Sequence, residues 1–177
     1  MELLNRFEGK PSQPWWACYK NFPITNWNND ETLSVLKNIA RVNIPEERIH
    51  SLTMDNWESF DQDIANAGGI DVMVIGLGYD GHFCSNSPKV TPLDSYTYKI
   101  DRAWRRTILP HYNSNPEIPY TLTMGPKSLM KVKHLVMIVN GLHKASILKE
   151  FLNSPISDEL PATILKLHPN FTIICDE

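Results

Sequence analysis

The stretch Ile70-Asp71-Val72-Met73-Val74-Ile75-Gly76-Leu77-Gly78 decides the fold class of this chain. Its first six residues form a nearly continuous apolar run rich in β-branched side chains. Such a run is typical of a strand that is buried on both faces of a parallel sheet. The two glycines that follow allow the backbone to turn sharply and to approach a ligand closely. The stretch therefore predicts a buried parallel strand that ends in a glycine-rich loop.

Two further runs repeat this pattern. The run His134–Val139 is followed by Asn140-Gly141 and by a predicted helix from about Leu142 to Leu152, and the third run is Phe171–Cys175. The connections between the runs are long enough for parallel pairing. We therefore expect one α/β domain over residues 1–177, with a doubly wound, mostly parallel sheet flanked by helices. In such a fold the binding site lies at the carboxyl ends of the strands.

The rest of the chain is less regular. Three prolines within residues 1–29 predict an irregular segment with at most a short strand around Ala17 to Lys20. Residues 89–118, which are rich in Pro, Tyr, Trp and Arg, predict an irregular excursion. The apolar spacing predicts helices that begin at Asp30 and Asp55. The remaining predictions are a brief strand at 49–52, a strand at 120–124, and core positions for Trp57 and Phe60.

The overall composition excludes several classes of protein. The 177 residues carry 17 Lys and Arg against 20 Asp and Glu, whereas nucleic-acid-binding domains usually show a basic excess. The longest purely apolar run, Leu135 to Val139, is far shorter than the roughly 20 residues of a membrane span. The three cysteines, Cys18, Cys84 and Cys175, form no disulfide framework and fit a reducing compartment. We therefore expect a cytoplasmic protein without a nucleic-acid or membrane partner.

The loop after the first run carries the strongest candidate for chemistry. Asp80-Gly81-His82 places a carboxylate two residues from an imidazole, and a carboxylate can fix the tautomer of a histidine that transfers protons near neutral pH. An ordinary Asp-Gly turn with a backbone-bonded His82 is the alternative. The loop lacks the third glycine of a dinucleotide-binding fingerprint. No second ligand cluster completes a metal site around His82-Phe83-Cys84, so we predict neither a cofactor nor a metal.

A second candidate follows the run His134–Val139. Lys144 lies near the start of the predicted helix, where backbone N–H groups favour an anion. A cation at that position is disfavoured by the helix dipole unless an anion compensates it. Lys144 is therefore a candidate phosphate contact, with an ordinary solvated lysine as the alternative.

Several segments together resemble one family. The loop Gly76–Pro88 is similar to the G-x-G-x-D-G-H-…-N-E-P loop of the glucosamine-6-phosphate deaminase/isomerase family, and to a divergent branch of it that reads D-G-H-F-C-x-N. Leu122–Gly125, Gly141–Ala145, Leu167–Pro169 and Ile173–Glu177 also resemble that family in order and spacing. The related 6-phosphogluconolactonases share the D-G-H segment, but the position of Asn86 favours the deaminases.

The resemblance implies a Rossmann-like fold and a sugar-phosphate substrate such as glucosamine 6-phosphate, converted from aldose to ketose with release of ammonia. His82 would assist opening of the sugar ring, with Asp80 as its partner or as a substrate contact. Lys144 would bind the phosphate together with an arginine, Arg105 or Arg106, of which we take Arg106 as the candidate. The family also suggests a homo-oligomer, by analogy alone. The other predicted substrate contacts are Gly78, Gly81 and Asn86.

The chain also departs from the family pattern. Ser87 stands where the loop glutamate belongs, and Pro23 stands where Asn21–Ile24 should supply the aspartate base. Asp30-Glu31 could replace that base, although Asp30 suits a helix cap. The first strand and the phosphate loop of the family are also missing from the sequence, so we expect a member that is truncated at its amino terminus.

These departures keep two alternatives open. One is a 6-phosphogluconolactonase-like hydrolase in which His82 activates water. The other is a truncated, non-catalytic paralogue that binds a phosphosugar. The phosphosugar hypothesis requires Asp80, His82 and Lys144 to converge at the carboxyl ends of the strands.

Overall fold

The computed structural model describes residues 15–17, 49–101 and 120–176 of the chain. The predicted helix at Asp30, the segments Asn21–Ile24 and Asp30-Glu31, and Arg105 and Arg106 lie outside these residues. In chain order the elements are strands β1 (Trp15–Ala17) and β2 (Ile49–Ser51), helix α1 (Phe60–Asn66), strands β3 (Val72–Gly76), β4 (Tyr98–Asp101) and β5 (Tyr120–Thr123), helix α2 (Pro126–Leu129), strand β6 (His134–Val139), a 3₁₀ helix (Leu142–Lys144), helix α3 (Ala145–Asn153), a second 3₁₀ helix (Pro161–Leu167) and strand β7 (Phe171–Cys175).

The three apolar runs of the sequence form one parallel sheet. Its strand order is β3-β6-β7, so β6 is the central strand of the three. Val72 pairs with His134, and Leu135 pairs with Phe171, both in parallel register. The parallel α/β architecture expected from the sequence is confirmed, and the carboxyl ends of all three strands meet at one edge.

The core lies on one face of this sheet. Ile75 and Met137 are register partners and both are buried. Alternate residues of a strand point to one face, and this face packs against buried side chains of the helices, including Phe60 of α1 and Phe151 of α3. The opposite face carries Val74, which is 58% exposed. The sheet is therefore anchored through the face that the helices cover.

Helix α1 begins later than the sequence predicts. Asp55 is exposed in a turn, and the residue at the amino-terminal cap is Ser59. The side chain of Asn56 explains this shift, because its amide accepts a bond from the Thr53 N–H at 2.7 Å and donates to the Ser51 carbonyl at 2.8 Å. These local bonds compete with the first helical turn. The predicted core position of Phe60 is confirmed, and Trp57 packs partly buried against the core.

A strand interrupts the segment that we predicted as an irregular excursion. Strand β4 pairs with β5 in antiparallel register, with Ile100 opposite Thr121. Ile100 is buried, whereas its neighbour Lys99 lies over the Trp57 ring at 5.7 Å from the ring centre. A buried residue beside an exposed one is typical of a half-buried strand. However, this strand has only four residues and lies in a segment rich in proline. Sequence reasoning therefore missed it.

Among the described helices, none is both long enough and apolar enough to cross a membrane.

Candidate active site

Two connections leave the carboxyl edge of the sheet side by side. Residues 77–88, here called the Asp80 loop, follow β3, and residues 140–144, here called the Lys144 turn, follow β6. Because β3 and β6 are neighbouring parallel strands, both connections begin at the same edge.

Asp80 and His82 form a close pair within the Asp80 loop. Asp80 Oδ1 lies 2.5 Å from His82 Nδ1, and the same oxygen accepts a bond from the His82 backbone N–H at 3.2 Å. Both side chains are largely sheltered from solvent, with 23% of Asp80 and 13% of His82 exposed. The Tyr79 ring and the imidazole are nearly perpendicular, with their centroids 6.4 Å apart. The predicted carboxylate–imidazole pair is thus formed.

The electrostatics of the pair keep Asp80 ionised. Burial raises the pKa of Asp80, but the hydrogen bonds and the charge of His82 outweigh burial, so this pKa lies below its ordinary value of 3.8. An ionised Asp80 can only accept at His82 Nδ1, which therefore carries a proton. A role in proton exchange with a substrate, which would fall to Nε2 of the same ring, stays a prediction.

Two glycines shape the loop through contacts with the protein itself. A Cβ on Gly78 would lie 2.1 Å from His82 Nδ1, so the imidazole packs directly on the bare Cα. The Gly78 N–H also donates to the His82 carbonyl at 2.7 Å, which closes the loop. Gly81 has φ +82°, and a Cβ there would lie 2.0 Å from Leu160 Cδ1. Both glycines were predicted as substrate contacts, and that role stays a prediction.

Asn86 is buried and bonded on all sides by protein groups. Its amide nitrogen donates to the carbonyls of Phe83 at 3.2 Å and Met124 at 2.9 Å, and its amide oxygen accepts from the Tyr98 hydroxyl at 3.1 Å. Burial, opposed by a hydrogen bond with Thr91, raises the pKa of Tyr98 to about 12. Asn86 therefore fastens the Asp80 loop to the end of β5, and these contacts do not favour its predicted role in substrate binding.

Lys144 reaches across from the neighbouring connection. Its Nζ donates to the Leu77 carbonyl at 2.5 Å, at the start of the Asp80 loop. The side chain is half-buried and does not point away across the sheet. Lys144 therefore contacts the first residue of the loop that carries Asp80 and His82, and the convergence of all three side chains on one pocket stays a prediction. Arg106, the other predicted phosphate contact, lies outside the described residues.

The structure adds residues that sequence reasoning missed. Thr123 Oγ1 accepts the Ser85 N–H at 3.1 Å, and the two carboxylate oxygens of Asp176 accept the Gly141 N–H at 3.0 and 2.8 Å. Asp176 was part of a segment that resembles the family, but no role followed from it. Tyr98 lies in the segment predicted to be irregular. In each case the contact depends on strand register, which local spacing does not reveal.

The Asp80 loop offers no second carboxylate. Ser87 is buried, and its hydroxyl donates to the Ser85 carbonyl at 3.4 Å. Within residues 15–17, 49–101 and 120–176, no group of three or more His, Cys, Asp or Glu side chains is placed to hold a metal ion.

The chain is similar to known proteins over most of its length. A model of the family described as glucosamine-6-phosphate isomerases/6-phosphogluconolactonase matches residues 28–173. The glucosamine-6-phosphate deaminase of Lachnoclostridium phytofermentans is 35% identical over 146 residues, which cover 76% of this chain and 60% of that protein. The deaminase of Clostridium acetobutylicum is 36% identical over 143 residues, covering 76% and 59%. The chain thus spans about 60% of the length of these curated relatives.

Solved structures share the fold at lower identity. A monomeric glucosamine-6-phosphate deaminase superposes with a TM-score of 0.64 at 23% identity, covering 80% of this chain and 64% of that one. The 6-phosphogluconolactonase of Thermotoga maritima gives a TM-score of 0.57 at 19% identity, covering 78% and 61%. With the family match over most of its length, the chain belongs to the glucosamine-6-phosphate isomerase/6-phosphogluconolactonase family.

Proposed function

We propose that this chain binds an amino-sugar 6-phosphate, such as glucosamine 6-phosphate, and takes part in its conversion to a ketose phosphate with release of ammonia. The observation that carries the proposal is the bond from Lys144 Nζ to the Leu77 carbonyl. It brings a cation for the phosphate to the loop that holds the Asp80–His82 pair. The similarity to deaminases at about 35% identity supports the same activity.

The Asp80–His82 pair suits the opening of the sugar ring. In that step the hydroxyl proton on C1 is removed, the C1–ring oxygen bond breaks and the ring oxygen gains a proton. His82 Nε2 can take the first proton and supply the second, so the imidazole returns to its starting state. When His82 holds the extra proton, its imidazolium charge is stabilised by ionised Asp80, whose lowered pKa keeps this carboxylate negative throughout the neutral range.

Lys144 is suited to bind the phosphate group of the substrate. Its ammonium donates to a neutral carbonyl, and hydrogen bonds to charged partners are stronger than those to neutral ones. A phosphate oxygen that approaches Lys144 therefore forms a bond in which donor and acceptor are both charged, and this bond is stronger than the one to the neutral Leu77 carbonyl. Arg106 is our candidate for a second phosphate contact.

The transfer of hydrogen from C2 needs a further base. The resemblance points to Asn21–Ile24, with Pro23 at the expected acid, or to Asp30-Glu31, and both segments lie outside the described residues. The described residues therefore support phosphate binding and ring opening, and the step at C2 is assigned to the whole protein without a named residue.

Ammonia release and calorimetric titration with glucosamine 6-phosphate test the proposal. We expect His82→Ala to lower turnover by roughly 10²–10⁴-fold with little change in affinity. Lys144→Ala should weaken binding by roughly tenfold, because one charge-assisted bond is lost. Lys149→Ala, an exposed lysine on α3, is the matched control and should change neither. If the wild-type protein released no ammonia and gave no heat of binding, the proposal would be wrong.

A lactonase activity is the second candidate, and the position of Ser87 favours it. The Asp80 loop lacks a second carboxylate, so His82 has only Asp80 of that loop as an acidic partner. A single His–Asp pair is sufficient to activate water as a base. Hydrolysis of 6-phosphogluconolactone above the spontaneous rate, abolished in His82→Ala, would support this alternative. A melting shift with either sugar phosphate but no turnover would instead indicate a binding protein.

A further inference from the structure

Asp176 makes a contact that the proposed chemistry does not use. It follows β7 directly, and β7 pairs with β6 so that Cys175 lies opposite Val139. This register places Asp176 beside the Lys144 turn. There both of its carboxylate oxygens accept the same backbone N–H, that of Gly141, at 2.8 and 3.0 Å.

The contact lies where the chain turns sharply. Gly141 has φ +90°, a conformation that residues with a side chain rarely adopt, and its carbonyl accepts the Lys144 N–H at 2.9 Å. The direction in which Lys144 leaves the backbone therefore depends on the orientation of Gly141. The Lys144 side chain then spans the gap to the Leu77 carbonyl.

We propose that Asp176 is a positioning residue that holds the Lys144 turn in the orientation needed to present the lysine to a phosphate. This inference rests on the proposed function, which assigns the phosphate to Lys144. Asp176 is exposed, so its bond contributes little to the global stability of the fold. Its effect is local, because it fixes the peptide three residues before Lys144.

Binding of glucosamine 6-phosphate to the full chain tests the positioning role. Asp176→Ala should raise the dissociation constant about tenfold, equivalent to the loss of one hydrogen bond in the bound state, with kcat and the melting temperature nearly unchanged. Asp176→Asn should recover most of the affinity, because an amide oxygen still accepts from Gly141. Asp71→Ala is the matched control, since Asp71 is an exposed carboxylate at the opposite end of β3 and bonds Lys133.

Hydrogen exchange at the Gly141 amide separates this inference from the proposed function. Asp176→Ala should accelerate that exchange by about tenfold, while the Leu135 amide, bonded to the Asn170 carbonyl, stays unchanged. Unchanged Gly141 exchange, or unchanged affinity in Asp176→Ala, would overturn the role of Asp176 even if the wild type binds. Absence of binding by the wild type would refute the phosphate assignment, whereas faster Gly141 exchange would still establish Asp176 as the group that holds the turn.

Discussion

The Asp80 loop and the Lys144 turn leave the same edge of the sheet but are held in different ways. The Asp80 loop is fixed by buried contacts, including the bonds of Asn86 to Met124 and Tyr98. The Lys144 turn is fixed by the exposed carboxylate of Asp176. Proton transfer requires close alignment of the reacting atoms. The comparison therefore separates a loop that is held by several buried bonds, which suits the proposed chemistry, from a turn that one exposed carboxylate orients, which suits the proposed phosphate contact.

The largest expected effect comes from replacing one leucine in each connection with alanine. Leu77 is 1% exposed in the Asp80 loop, whereas Leu142 is 88% exposed in the Lys144 turn. Leu77→Ala should lower the free energy of unfolding by about 3 kcal/mol, because it removes buried methyl groups and leaves a cavity. Leu142→Ala should change it by less than about 0.5 kcal/mol. Urea denaturation measures both, and equal losses would contradict the difference between the connections.

The second test removes the buried amide that fastens the Asp80 loop. Asn86→Leu keeps the approximate volume but leaves the Met124 carbonyl and the Tyr98 hydroxyl without this partner. We expect a loss of about 2–3 kcal/mol in the free energy of unfolding. Asn153→Ala is the control, since Asn153 bonds the Lys149 carbonyl at an exposed position. If Asn86→Leu were as stable as the control variant, the loop would not depend on this amide.

The third test sharpens the claim that the imidazole is rigidly placed. Gly78→Ala forces a methyl group against His82 and should cost about 2 kcal/mol as the ring moves. Turnover should fall with it, because the bond to Asp80 is disturbed. Gly76→Ala is the matched control at the end of β3, since among the described residues its Cβ would meet only the Ile138 carbonyl oxygen at 3.9 Å. Normal turnover in Gly78→Ala would show that His82 tolerates displacement.

The smallest effect concerns the charge of Asp80. Because its pKa in the folded protein is below the ordinary 3.8, the ionised carboxylate stabilises the fold above that pH. The contribution disappears as the pH falls through the lowered pKa. Asp80→Asn should therefore be about 1 kcal/mol less stable than the wild type near neutral pH, and this difference should shrink as the pH falls below 3.8. Asp71→Asn should show almost no difference at either pH. A gap between wild type and Asp80→Asn that does not change with pH would contradict the lowered pKa.

The sequence predicts the parallel sheet well, because each of its three strands is a nearly continuous run of apolar residues. The predicted bounds of β6 and β7 agree with the structure, whereas β3 begins two residues later and ends one residue later than predicted. In contrast, the start of α1 depends on the side-chain bonds of Asn56, and β4 exists through its pairing with β5. Propensity and periodicity do not encode such contacts, which arise from turn chemistry and from partners distant in sequence.

In the candidate site, too, local sequence predicts some contacts, and others depend on residues that are distant in the chain. Asp80 and His82 are two residues apart, so their pairing follows from spacing alone, and the approach of Lys144 follows from the adjacency of parallel strands. The inward direction of Asn86 could not be predicted, because a short amide is equally suited to bind a ligand or a buried carbonyl. The contact of Asp176 depends on the register between β6 and β7. Sequence patterns do not specify that register without the three-dimensional pairing.

The order of strands in the parallel sheet also bears on how the protein folds. The pairing of β6 with β7 joins Leu135 to Phe171, whereas the pairing of β6 with β3 joins His134 to Val72 and closes a longer stretch of chain. Shorter closures cost less entropy and form faster. We therefore expect Asp176 to meet Gly141 at an earlier stage than Lys144 meets Leu77. The proposed phosphate contact would then form only after β3 has paired with β6, late on the folding pathway.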